Sequence, residues 1–208
     1  MRATVLLLLA LTTLGAKPET RCGLERSCLT ISPFDHGGSV QMVVEIPTGT
    51  IEKWEMSKID GKLYWEKEND VPRLINYLAY PGNYGFVPGT LLDETRGGDG
   101  DPLDVILLGP AIARGSIVSI TIVSVLKLMD SGERDDKLIA VPFESLLSDI
   151  SNIEDMRNGM KEILETWFEN YKGPGLIESL GFQDRHSARK ILENAVQEYE
   201  QSRALSRD

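Results

Sequence analysis

A mainly β domain, a small barrel followed by two covering helices, is the fold that the sequence predicts. Three observations point to it. Short β-rich runs recur at close spacing from residue 39 onward, clusters of Gly, Pro, Asn and Asp punctuate them, and after Pro142 the apolar period lengthens to that of a helix. The first run, Val40-Gln41-Met42-Val43-Val44-Glu45-Ile46, is ended by Pro47, and further runs follow at 53–56, 63–65, 105–108, 116–127 and 138–141. Turn clusters stand between them at Pro47-Thr48-Gly49, Asp60-Gly61, Pro81-Gly82-Asn83, Arg96-Gly97-Gly98 and Asp130-Ser131-Gly132. Strands this short and closely spaced favour a barrel over alternating β and α units. Over 152–171, Ile153, Met156, Met160, Ile163, Leu164, Trp167 and Phe168 fall at spacings of three and four, and Gly173-Pro174-Gly175 stops the pattern. A second stripe, Ala188, Ile191, Leu192, Ala195, Val196 and Tyr199, predicts a helix over 187–203. The domain is therefore expected over 39–208, with a polar, weakly periodic pre-domain segment at 17–38.

With 208 residues, 41% hydrophobic and 26% charged, the chain can bury the core of one globular domain. Its formal charge of -10 argues against a nucleic-acid partner, because phosphate-backbone binding needs Lys and Arg in excess. An enzyme this acidic can act on an anion only if cations stand between its carboxylates and the substrate. At the amino terminus, Arg2 precedes an apolar run from Val5 to Leu11 and the small-residue stretch Thr12-Thr13-Leu14-Gly15-Ala16. The run is shorter than the roughly 20 apolar residues of a spanning helix, and its layout predicts a cleaved signal at 1–16. The expectation is export to the periplasm or beyond, with no stable membrane insertion after cleavage; a cytoplasmic protein with a hydrophobic amino terminus is the alternative. Cys22 and Cys28 are the only cysteines, an even pair that could form one disulfide or remain as thiols. His36 and His186 are isolated, so zinc has no ligand set here.

Three carboxylates within six positions, Asp99, Asp101 and Asp104, repel one another unless solvated or bridged by cations. In a regular strand Asp99 and Asp101 would share a face and Asp104 would point away, but Gly100 and Pro102 break that regularity and allow a bend. Oxygen-only ligands suit Mg²⁺; an acidic surface turn is the other reading. In the second acidic turn, Asp130 to Lys137, Asp135 and Lys137 lie two apart, on one side of a strand that begins at Lys137. Anion-binding groups stand elsewhere: Lys53 and Glu55 alternate on one strand, Arg73 precedes an apolar stretch, Tyr80 and Tyr84 flank a tight turn, and Tyr171-Lys172 ends the first long helix.

Taken in order, Glu45-Ile46-Pro47, Lys53-Trp54-Glu55, Tyr80-Pro81-Gly82-Asn83-Tyr84-Gly85, Asp99-Gly100-Asp101-Pro102-Leu103-Asp104-Val105, Lys127 to Lys137 with Val141-Pro142, and Tyr171-Lys172 resemble the soluble family I inorganic pyrophosphatases. The likeness runs from about residue 40 to 172, and the Asp99–Val105 heptapeptide matches the family signature at every position. The resemblance implies a five-stranded OB-like β-barrel with flanking helices, hydrolysis of pyrophosphate by a water activated on several Mg²⁺ ions, and a homo-oligomer. It implies Asp99, Asp104 and Asp135 as metal ligands with Asp130 helping a further ion, Asp101 as general base, and Tyr84 steadying the reactive water. Lys53, Arg73, Lys137, Tyr171 and Lys172 would bind the phosphates, with Glu45, Glu55 and Tyr80 in support. Two departures stand out. Arg73 or Lys67 could fill the family's arginine position, of which Arg73 offers bidentate geometry, and Ser131 follows Asp130 where an acidic residue is frequent. A cation-binding module without catalysis would leave Lys53, Arg73, Lys137 and Lys172 without a role, and an oligonucleotide-binding barrel is opposed by the acidic site.

Overall fold

Five strands close on themselves in the computed structural model, which describes residues 21–143 and 145–205. The elements in chain order are β1 (Val40–Ile46), β2 (Trp54–Met56), β3 (Leu63–Trp65), β4 (Lys67–Glu68), β5 (Val71–Pro72), β6 (Asn83–Phe86), β7 (Asp104–Leu107), β8 (Ile117–Asp130), β9 (Glu133–Arg134), β10 (Lys137–Pro142), α1 (Met160–Asn170), β11 (Ile177–Gln183) and α2 (Arg185–Leu205). Hydrogen bonding runs β1-β6-β7-β10-β8 and returns from β8 to β1, so the ring has five strands, as the resemblance implied. All its pairings are antiparallel except β7 with β10. The 14-residue β8 is rich in β-branched residues; it pairs β1 near its start, β10 in its middle, and β9 and β11 at its far end.

Strand alternation sorts the core into two sides. Met42, Val44, Val105, Leu107, Leu138 and Ala140 pack with Ala188, Leu192 and Ala195 of α2. The intervening Ile106, Ile139 and Val141, joined by Ile46 beyond the register shift after Val44, pack with Leu164, Trp167 and Phe168 of α1. Asp104 and Lys137 lie two residues before Ile106 and Ile139, and Tyr84 pairs with Ile106, so all three polar groups face the α1 side. This parity places the chemistry.

Gly85 shows how tight the ring is. It pairs with Val44, and a Cβ added there would lie 1.9 Å from the Val43 carbonyl oxygen. Gly85→Ala should therefore separate β1 from β6 and cost about 3 kcal/mol, at the upper end for overpacking; an unchanged unfolding midpoint in urea would contradict that close approach.

Several elements differ from the sequence expectation. Residues 21–38, expected to precede the core, enter it: Cys22, Cys28 and Ile31 are buried with Val43, Leu63 and Phe86 in a third cluster, and Cys22 and Cys28 form a disulfide with Cα atoms 5.2 Å apart. The expected signal at 1–16 lies outside the described residues. The first helix starts at Met160 rather than near 152, because Gly159 takes a left-handed φ of 83° and Ile153–Asp155 is only a 3-10 turn capped by Asn152. Strand β6 occupies what reads as a turn, and β11 had no signal: Gly181 (φ 81°) and a register shift interrupt its alternation. Among the described residues, no helix is long and apolar enough to cross a membrane.

Candidate active site

Between β6 and β7 the chain makes a loop that the backbone holds firmly. The Gly100 N–H donates to the Leu92 carbonyl and the Leu92 N–H to the Asp101 carbonyl, each at 2.8 Å. Asp93 caps the 3-10 turn Glu94–Arg96 by accepting from the Thr95 N–H. Gly100, at φ 75°, makes the bend that any other residue would resist, and a Cβ there would meet the Glu94 carboxylate at 2.6 Å. Asp99 then accepts a 2.9 Å hydrogen bond from the Asp101 N–H, and Asp104 opens β7. The strand geometry that would separate Asp104 from Asp99 and Asp101 is broken at Gly100 and Pro102, as expected.

At the centre lies Lys137, the first residue of β10 and 1% exposed. Its Nζ donates to Asp104 Oδ2 at 2.7 Å, Asp135 Oδ1 at 2.8 Å and the Tyr84 hydroxyl at 3.2 Å. The Tyr84 hydroxyl in turn donates to Asp104. Phe168 of α1 closes the far side, with the ammonium 5.6 Å from its ring centre. Burial alone would lower the Lys137 pKa, but Asp104 and Asp135 outweigh it and hold the group well above its ordinary value. Lys137 is therefore a fixed cation. Burial, reinforced by Asp104 and Asp135, pushes the Tyr84 phenol well up, so it stays a donor.

Around this centre one cleft gathers Lys53, Glu55, Arg73, Tyr84, Asp99, Asp101, Asp104, Asp130, Asp135, Lys137, Tyr171 and Lys172, together with Glu133. Lys53 is ion-paired with Glu55 two residues on. Burial pulls the Lys53 pKa down, but Glu55 and Glu45 are among the groups that raise it above its usual value. Arg73 donates to Glu66 at 2.7 Å and lines the cleft, whereas Lys67 does not. Lys172, after α1, pairs with Asp130 at the end of β8, and Tyr171 stacks on Trp167 with centroids 4.8 Å apart. Glu45 sits in an adjoining recess with Lys53, Asp99 and Asp104 and accepts from the Met56 N–H at 2.7 Å; burial pushes its carboxyl up to about 8 against the pull of Lys53. Tyr80 is buried against Tyr84 and Trp167 and does not line the cleft, which makes it packing support. His36 and His186 are both exposed, and neither lines this cleft.

The acidic side of the cleft is under electrostatic tension. Burial pushes the Asp99 carboxyl up to about 6, helped by the charges of Asp101, Asp104 and Asp135. Asp135 is likewise raised, by burial first and Asp104 next, although Lys137 opposes both. A set of oxygen donors that resist sharing their charge suits a hard divalent cation and offers zinc neither thiolate nor imidazole. Among the described residues, no three such side chains are already gathered around one point. Lys137 pairs with Asp104 and Asp135, and Lys172 with Asp130. Mg²⁺ tolerates such a spread set, because it keeps several waters and takes one or two carboxylates with substrate phosphate oxygens.

Two members of the site escaped the sequence. Glu133 lies on the short strand β9, inside what reads as a loose acidic turn. Lys58, in the turn between β2 and β3, reaches the Asp loop and pairs with Asp101 at 2.5 Å. The Asp60-Gly61 turn signals a hairpin there, but where a hairpin tip lands is a tertiary fact.

The arrangement brings a carboxylate cluster and four basic side chains to one cleft. The family model described as inorganic pyrophosphatase matches residues 42–200. An inorganic pyrophosphatase from Xylella fastidiosa is 35% identical over 168 residues, covering 77% of this chain and 89% of its own. A solved inorganic pyrophosphatase from Helicobacter pylori superposes with a TM-score of 0.69 at 34% identity, over 78% of this chain and 94% of that one. One from Thermus thermophilus gives 0.72 at 28% identity, over 84% and 99%.

Proposed function

Because the chain belongs to the inorganic pyrophosphatase family and is an inorganic diphosphatase, we propose that it hydrolyses pyrophosphate with Mg²⁺ held by Asp99, Asp104 and Asp135, assisted by Asp130, and with Asp101 as general base. The observation that carries this reading is the convergence of those carboxylates and Lys53, Arg73, Lys137 and Lys172 on one cleft. When bound, the ions supply neutralisation of the phosphate oxygens and a water acidified far below its bulk pKa. The chain supplies the rest. Lys53, Arg73 and Lys172, with Tyr171, clamp the phosphate oxygens, and Lys137 sets a permanent positive charge where charge develops on the departing phosphate. Tyr84 fixes Asp104 through its hydroxyl. Asp101, half exposed in the loop and paired through Oδ1 with Lys58, receives the proton of the attacking water. Net acidity is then consistent with an anionic substrate, since the carboxylates recruit the ions that recruit pyrophosphate.

The test is phosphate release from pyrophosphate by the purified protein across a range of Mg²⁺ concentrations; no release at any of them would remove the reading. A pH arm follows from Asp99. Its carboxyl, pushed up to about 6, must lose a proton to take a cation. Mg²⁺ affinity measured calorimetrically should therefore be flat above pH 6 and weaken about tenfold per unit below it. Asp99→Asn should abolish that slope, and an unchanged slope would exclude Asp99 as the controlling ligand.

The disulfide supports a further part of the proposal, that the protein works in an oxidising compartment after export. Amino-terminal sequencing of protein recovered from the cell envelope or medium should begin after residue 16; recovery only from the cytoplasm with Met1 or Arg2 in place would reject export.

A further inference from the structure

A support for the Asp loop comes from outside the cleft. Lys58 Nζ sits 2.5 Å from Asp101 Oδ1 and donates at 2.8 Å to the Gly100 carbonyl. One ammonium thus holds both the bend and the carboxylate beyond it. From the other direction the Asp101 N–H is tied to Asp99. Without Lys58 the Asp101 carboxylate, whose side chain is 52% exposed, would have solvent alone to choose its rotamer.

Lys58 owes its own place to the bridged amino-terminal segment. It stands in the turn closed by the Ser57 N–H to the Lys62 carbonyl and the Gly61 N–H to the Ser57 carbonyl, both 2.8 Å. The Cys28 N–H donates to the Gly61 carbonyl at 2.8 Å, and the Leu63 N–H donates to the Gly23 carbonyl at 2.9 Å. Leu63 packs against Cys22 and Cys28, and a Cβ on Gly61 would lie 2.1 Å from Ser27 Oγ. The Cys22–Cys28 loop therefore grips the exit of the β2–β3 turn, at Gly61 and Leu63. That loop precedes residue 42, where the match to the family begins.

We propose that Lys58 is a positioning residue for Asp101 and that the Cys22–Cys28 loop holds Lys58 in place. The inference rests on Asp101 receiving the proton in pyrophosphate hydrolysis. It concerns orientation: an exposed lysine 2.5 Å from an exposed carboxylate adds little to stability, but a misplaced base slows the chemical step.

The test compares steady-state kinetics of the full protein with those of Lys58→Met, Lys58→Arg, Cys22→Ser/Cys28→Ser, and the last combined with Lys58→Met. Lys58→Met should lower kcat about tenfold with KM within about twofold of the parent, the cost of a misdirected group. Lys58→Arg should recover most of that loss, which a merely structural contact would not require. Removing the bridge should lower kcat when Lys58 is present and add nothing when it is absent, because both changes act through one contact. An unchanged kcat in Lys58→Met overturns the inference, and a bridge effect of equal size in the Lys58→Met background overturns the bracing. Asp101→Asn, run alongside, separates the levels: if it retains turnover, the reading of the site fails; if it is inactive while Lys58→Met is normal, only this inference fails.

Discussion

Replacing Asp101 by Asn is expected to lower kcat about a thousandfold, within the range for loss of a positioned general base, while leaving the unfolding midpoint nearly where it was. The two halves of that expectation have separate causes. Asn keeps the size of the side chain and can still meet Lys58, but it cannot accept the proton of the attacking water. The fold is indifferent because the Asp101 side chain is largely in solvent and its ion pair with Lys58 is exposed on both sides. Phosphate release under saturating pyrophosphate and Mg²⁺, set beside urea unfolding, reads both. A variant with parental turnover would take the proton-accepting role from Asp101.

Lys137→Met is expected to act in the opposite sense, on stability as strongly as on turnover. Methionine matches the length of the stem but removes the charge that Asp104 and Asp135 share. Their side chains are only 20% and 12% exposed, so each would be left with little solvent to compensate. Breaking a buried pair from one side costs about 3–5 kcal/mol, and the partial exposure of the two aspartates places this case near the lower figure. Chelator-treated protein should thus unfold at clearly lower urea than the parent. Addition of Mg²⁺ should restore more stability to the variant than to the parent, because a cation can replace the missing counter-charge for Asp104 and Asp135. Equal unfolding midpoints in chelator would show that Lys137 is not what makes these two carboxylates tolerable.

How far the sequence reveals this site depends on the range of the interaction concerned. Asp135 and Lys137 are legible because strand alternation is a local rule, and a separation of two puts both on one side. The Asp99–Asp104 loop is legible because Gly100 and Pro102 announce a break in the strand. Strand β6 is not, since Asn83, Tyr84 and Gly85 carry turn chemistry and become a strand only through their partners on β1 and β7. The start of α1 is obscured because Ile153 and Met156 continue the helical stripe across Gly159, where the backbone turns left-handed. Cys22, Cys28 and Ile31 lie in a polar stretch with no period, and their burial is decided by Leu63 and Phe86, far along the chain. Lys58 is the extreme case, a hairpin-tip lysine whose partner lies 43 residues away on another loop.

The single parallel pairing of the ring, β7 with β10, aligns Lys137 with Asp104 and Leu138 with Val105. A slip of one residue would exchange the sides of every residue on β10. Lys137 would then enter the apolar layer beneath α2, parted from Asp104 and Tyr84, while Leu138 would face them. Wrongly aligned chains are thus penalised by the groups that handle substrate, because a charge carried into that layer is far costlier than a misplaced methyl. The charged cluster therefore serves as an alignment key for the barrel: a chain that reaches the correct ring has, by the same event, assembled its chemistry.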